Sequence, residues 1–225
     1  LVARIEHQRE TVRMTKIARD NQLSISADAI LDKFEELLLD SAINEISPRL
    51  VVQELGCSPR LLFRHFRTKL EVADALAARR LKVLALTLQE RCSNGNAVQQ
   101  LELLLRVLAF WWIDATKNCP GIASVMVLAA ERNRRPVMSF KLFVRKQMME
   151  IIEGGVRREE FPKSALQDLP QLALDIITVV ADPRIVGLFS HSEIVARGER
   201  LIGFILAHAQ NISAVHQARK GITDL

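Results

Sequence analysis

Two Ser-Pro pairs, Ser47-Pro48 and Ser58-Pro59, flank a glycine at Gly56, and this arrangement restricts the fold more than any other feature of the chain. A serine placed before a proline is a strong helix start. Its side-chain oxygen accepts a bond from the first turn, and proline at N1 gives up an N–H that has no helical partner anyway. Pro48 to Leu55 is therefore predicted as one short helix, ended by Gly56 in the left-handed conformation that glycine adopts most easily. A second capped helix is predicted from Pro59 to about Phe66. Ahead of them, Ser26 and Asp28 suit a helix start, and Ile30, Phe34, Leu37, Leu38 and Ser41 fall at helical spacing over about three turns. Helix, glycine turn and capped helix within some twenty residues make a helix-turn-helix.

The second capped helix has two unlike faces. At about 100° per residue, Leu62 and Phe66 share one side, while Arg60 and Arg64 lie nearly opposite. An inward apolar pair backed by outward arginines is what a helix seated in a major groove requires. Charge is concentrated in the same place. Ser47 to Lys82 holds eight basic residues (Arg49, Arg60, Arg64, Arg67, Lys69, Arg79, Arg80, Lys82) against Glu54, Glu71 and Asp74, an excess equal to the whole chain's net +5. A localised positive surface is the electrostatic footprint of phosphate contact, although a solvated basic face has the same composition.

These residues carry a family resemblance. Ile30 to Leu76, centred on VVQELGCSPRLLFRHFRTKLEVADAL, resembles the DNA-binding domain of TetR-family transcription regulators. Gly56, Ser58, Phe63, His65, Phe66 and Lys69 match that family's pattern without a gap. The chain departs from it in having Phe63 for the usual Tyr, Arg60 for a small residue, Leu61 for a hydroxyl, Leu70 for Glu, and Ala42 where a glycine normally ends the first helix. The resemblance implies DNA contact through Ser47, Arg49, Ser58, Arg60, Leu61, Arg64, His65 and Lys69. It covers about 50 residues.

Beyond it, a long helix is predicted from Lys69 to about Arg91, broken by Ser93-Asn94-Gly95-Asn96, and an apolar one from Ala97 to Lys117. Further helices are predicted at about 121–132, 136–158, 164–181 and 191–211. Glycine and proline number only 9 and 7, and no Val/Thr alternation suggests a sheet. The expected fold is all-α: an N-terminal helix-turn-helix joined by a long helix to a C-terminal bundle. The expected segments are a basic extension over 1–25, the DNA-binding domain over 26–72, and a ligand-binding and dimerisation domain over 73–225.

The resemblance implies a ligand cavity in that bundle, and Trp111, Trp112, Met126, Phe140, Phe143, Met148 and Met149 are its candidate lining. Aromatic and Met side chains build adaptable pockets, and at helical spacing they equally build plain core. Trp111 and Trp112 differ by about 100° and cannot point the same way. Arg106, Asp114, Glu131 and Arg132 are candidates to orient a polar group. A two-fold interface is expected from Leu169, Leu172, Ile176 and Val180 on one helix and Ile194, Leu201 and Ile205 on another; packing within one chain competes with that reading.

Enzyme chemistry finds no footing in the sequence. There is no GxSxG, HExxH, P-loop or dinucleotide fingerprint, and the five histidines are scattered. Cys57, Cys92 and Cys119 form no CxxC, which suits neither a disulfide framework nor zinc. No apolar run approaches the roughly 18 residues of a membrane span, and no signal peptide is read. The expectation is a cytoplasmic homodimer that binds a double-stranded operator without a cofactor, a repressor released by a small, largely apolar effector. A helical dimer with weakened DNA binding, working through a protein partner or by sequestering a ligand, is the alternative.

Overall fold

The computed structural model describes residues 25–92 and 94–223. All of the extension expected over 1–25 except Ile25 lies outside the described residues. Among the described residues there are ten helices and no strand: α1 Ala27–Leu37, α2 Pro48–Leu55, α3 Pro59–His65, α4 Lys69–Arg91, α5 Ala97–Asn118, α6 Pro120–Glu131, α7 Arg135–Arg157, α8 Ala165–Ala181, α9 Pro183–Val186 and α10 His191–Thr223. The all-α expectation holds. Two details differ. α9 stands where Asp182-Pro183 reads as a break, because the Asp182 side chain accepts from Arg184 N and caps a new turn. α10 also continues past the predicted end near residue 211.

Local capping sets the N-terminal helices. Ser26, Ser47 and Ser58 accept from the backbone N–H groups of Ala29 (3.1 Å), Leu50 (3.1 Å) and Leu61 (3.3 Å). Gly56 ends α2 at φ 58° and ψ 29°, and a Cβ there would meet nothing within 4 Å. The glycine is required by the backbone conformation and not by space. Thr68 caps α4 through Glu71 N, and the Glu71 carboxylate accepts from Arg67 N at 2.7 Å.

Packing then closes the structure around α4. Ile30, Phe34 and Leu38 from α1 and its end join Ile43, Ile46, Val51 and Leu62 in a core continuous with Leu76, Leu84 and Leu88 of α4. Burying each such side chain stabilises the fold by about 1.5–3 kcal/mol. α4 runs on unbroken into the larger bundle, where it packs on α5, α6 and α7; α5 packs on α7, α8 and α10. Ion pairs fix α1 to α4: Arg79 reaches Asp28 (2.8 Å) and Asp32 (2.5 Å), and Arg80 reaches Glu35 (3.2 Å).

The end of α1 also meets the start of α6. Ile43 N donates to Ser124 Oγ (3.0 Å), which donates to Gly121 O (2.6 Å), and Cys119 Sγ donates to Leu38 O (3.4 Å). On the other side of α4, Arg134, just ahead of α7, grips Asp74 through Nε at 2.8 and 2.9 Å.

Candidate functional site

α3 presents the two faces expected of it. Leu62 is 3 % exposed and sits in the core, and Phe66 packs partly buried against it. Phe66 has left the helix, with φ −136° and ψ 111°, and serves as its C-cap. Arg60 and Arg64 are exposed, as is Arg49 on α2, and none of their side chains forms an ion pair or hydrogen bond with another described residue. Ser47 and Ser58 are exposed beside them. Their oxygens accept from the helix starts, which leaves each hydroxyl proton to be donated outward.

Three contact residues expected from the sequence stand differently. Leu61 is 5 % exposed, so its side chain belongs to the interior and leaves the contact surface. Lys69 spends one donor on Asn44 O at 2.8 Å, across the α1–α2 connection. His65 is half-buried with its Nε2 enclosed, and lines a cleft rather than the outer face of α3. The basic count also shrinks, since Arg79 and Arg80 are committed to the α1 acids. Two groups absent from the expected contact set take up the outer surface. Phe63 is 47 % exposed on α3, and the exposed Arg67 follows it. In the sequence Phe63 counts only as a lost hydroxyl, although an exposed ring on a short basic helix is itself a signal.

The cleft at His65, about 710 Å³, opens between α4 and the start of α7, with Asp74, Lys82, Arg135 and Phe143 among its walls. Beyond it lies a separate, partly open cavity of about 320 Å³ lined by α4 to α8. Leu81 and Phe140 line both and form the partition between them. Of the predicted cavity residues, Trp112, Met126 and Phe140 line the cavity, and Phe143 lines the cleft instead. Met148 is fully buried core. Trp111 and Met149 are half-buried and reach neither space; Trp111 packs edge-on against Trp112 with ring centroids 4.6 Å apart. Arg106 is occupied by Glu102 (2.9 Å) and Glu199 (2.7 Å), tying α5 to α10, and Asp114, Glu131 and Arg132 are exposed away from the cavity lining. Lys141 and Arg145, which do line it, escape the sequence reading because an exposed i, i+4 cation pair reads as solvated surface.

Asp182 closes one end of the cavity at 6 % exposure. Arg184 donates to it from Nε (2.8 Å) and from its backbone N (2.9 Å) and holds the carboxyl below the usual carboxylate range. Among the described residues, no group of three or more His, Cys, Asp or Glu could hold a metal ion, and no helix is long and apolar enough to cross a membrane.

The expected interface residues divide in two. Leu169, Val180, Ile194 and Ile205 are at most 2 % exposed within the single chain, so they are its own core where α8 and α10 pack. Leu172, Ile176 and Leu201 are only half-buried. Phe204, one turn beyond Leu201, is 59 % exposed and lies outside the expected set.

A helix-turn-helix carried on a long helix into a larger, cavity-bearing bundle defines the class: an all-helical protein of two joined helical parts. No family model and no curated protein matches the chain. Solved structures do. The transcriptional regulator FadR from Bacillus subtilis, solved in complex with stearoyl-CoA, aligns at TM-score 0.59 and 12 % identity over 79 % of this chain and 96 % of its own. The TetR family transcriptional regulator PfmR from Thermus thermophilus aligns at 0.54 and 15 % over 77 % and 96 %. The chain has the fold of the TetR-type regulators.

Proposed function

We propose that this chain is a dimeric transcription regulator that holds an operator through α2 and α3 and is released from it by a small, largely apolar ligand bound among α4 to α8. The exposed, unengaged arginines of α3 carry this reading. Arg60 and Arg64 project from a helix whose opposite side is anchored by Leu62, so they can meet phosphates and base edges without giving up contacts of their own. Arg49, Arg67, Ser47 and Ser58 extend the surface, and Phe63 lies among them to meet sugar or a thymine methyl.

Dimerisation gives the arrangement its use, because two such helices one helical turn of DNA apart read a two-fold site. Leu172, Ile176, Leu201 and Phe204 are the residues of α8 and α10 proposed to meet a second copy. Leu61, which departs from the family's usual hydroxyl residue, is buried and lies outside the proposed contact surface.

Selection from a random duplex library with the full chain tests the proposal. It should enrich a site with two related halves whose centres lie about 10 bp apart or a multiple of that. If no duplex is enriched, the protein works through a partner or by holding its ligand.

A further inference from the structure

Lys141 and Arg145 stand one turn apart on α7, both exposed and both lining the mouth of the 320 Å³ cavity. Neither side chain forms an ion pair or hydrogen bond with another described residue, although Lys141 stands near enough to Asp182 to help Arg184 lower its carboxyl; Lys146 beside them is matched to Glu150 at 3.7 Å. The other polar groups of the lining are already satisfied within the chain. Gln171 donates to Asp175 (2.7 Å), the Thr178 hydroxyl donates to Leu174 O (2.7 Å), and Asp182 is held by Arg184 (2.8 Å). Behind the two cations the walls are apolar: Trp112 and Met126 at depth, Ile177 from α8. Met138 and Leu142 bring apolar surface out to the mouth at 44 % and 66 % exposure.

A wholly apolar ligand would leave the two cations without a ligand contact, and a small anion would leave the apolar depth without one. We infer that the cavity takes an amphiphile, its aliphatic chain lying against Trp112, Met126 and Ile177 and its terminal anion held at the mouth by Lys141 and Arg145. The position at the mouth matters physically. An anion taken in among the buried apolar walls would lose its water, whereas at the rim both cations stay hydrated and need no burial. The inference rests on the proposed reading of the cavity as the effector site and names the chemistry of its ligand. A carboxylate and a phosphate monoester share that chemistry.

Quenching of tryptophan fluorescence, with Trp112 in the wall as reporter, gives the affinity of the full chain for decanoate, decyl phosphate and 1-decanol below their aggregation concentrations. At least one anion should bind about tenfold tighter than the alcohol, the factor one charge-assisted hydrogen bond contributes, and the tighter anion identifies the headgroup. In the double variant Lys141→Ala/Arg145→Ala that preference should vanish while alcohol binding and the melting temperature stay as they were. An alcohol bound as tightly as both anions, no binding by any probe, or a preference that survives the double variant would overturn the inference. Duplex binding measured on the same samples keeps the two readings apart. Loss of duplex binding with the anion preference intact would sink the regulator proposal and leave this one standing.

Discussion

Gly121 at the start of α6 lies so close to Leu38 at the end of α1 that a Cβ built on the glycine would collide with the Leu38 and Ser41 carbonyl oxygens. The contact is electrostatically apt, since the positive end of one helix faces carbonyls that the N–H groups of the other helix do not reach. It is also one of the places where the helix-turn-helix segment touches the bundle other than through α4. A substitution at Gly121 therefore separates the two.

Gly121→Ala should destabilise the chain by about 2 kcal/mol, because backbone carbonyls cannot swing aside as a side chain can. For a protein of this size that lowers the melting temperature by roughly 4–8 °C, which calorimetry would read. An unchanged melting temperature would mean that α1 and α6 do not meet as closely as described.

The shared wall of cavity and cleft gives a second prediction. Phe140 faces both spaces and stacks on Phe143 with ring centroids 6.1 Å apart, so a ligand that moves it alters the space beneath α3 and α4. Phe140→Leu should leave duplex affinity within about threefold of the parent and weaken the effect of a bound amphiphile on that affinity, a coupling of ordinary size being about 1–3 kcal/mol. Anisotropy of a labelled duplex, with and without the probe, measures it. Coupling as strong as in the parent would place the route elsewhere.

Asp182 sets a pH dependence whose sign is fixed. Arg184 holds its carboxyl below the usual range, so this group's contribution to stability is complete above the unfolded value of about 4 and is lost as pH falls through the lower folded value. Asp182→Asn should melt below the parent at neutral pH, and the gap should narrow on acidification below about pH 4. A gap that is constant from neutral to acid would contradict the pairing.

Cys92 is 7 % exposed and burial pushes its thiol up to about 11, so at about pH 8 it is neutral as well as covered. Iodoacetamide should leave Cys92 unmodified in the folded chain and label it in denaturant, as peptide mass mapping would report. Rapid labelling in the folded state would contradict the burial of this thiol.

Local chemistry is the legible part of this molecule. Ser47-Pro48, Gly56 and Ser58-Pro59 act within a turn of themselves, and each stands in the structure where its neighbours in the chain put it. What an apolar stripe packs against is a different matter. Ile194 and Ile205 have the periodicity of an interface, yet they fill the chain's own core, because spacing reports a buried face and not its partner. Leu61 and Leu62 differ by one position, yet both are buried, which the helical spacing of Leu62 and Phe66 does not foretell. The family resemblance puts His65 among the groove contacts, but its half-buried imidazole lines the cleft with Nε2 enclosed. Lys141 and Arg145 acquire meaning only when α8 is seen to close the space beside them.

Duplex affinity measured against salt, for the parent and for Arg60→Ala/Arg64→Ala, tests most directly whether the outer face of α3 holds DNA. Several neutralised phosphates should make the parent's affinity fall steeply with salt, and each arginine contact removed should lower the logarithmic slope by about 1 while weakening binding. A parent whose affinity ignores salt, or a double variant with the parent's affinity and slope, would contradict it.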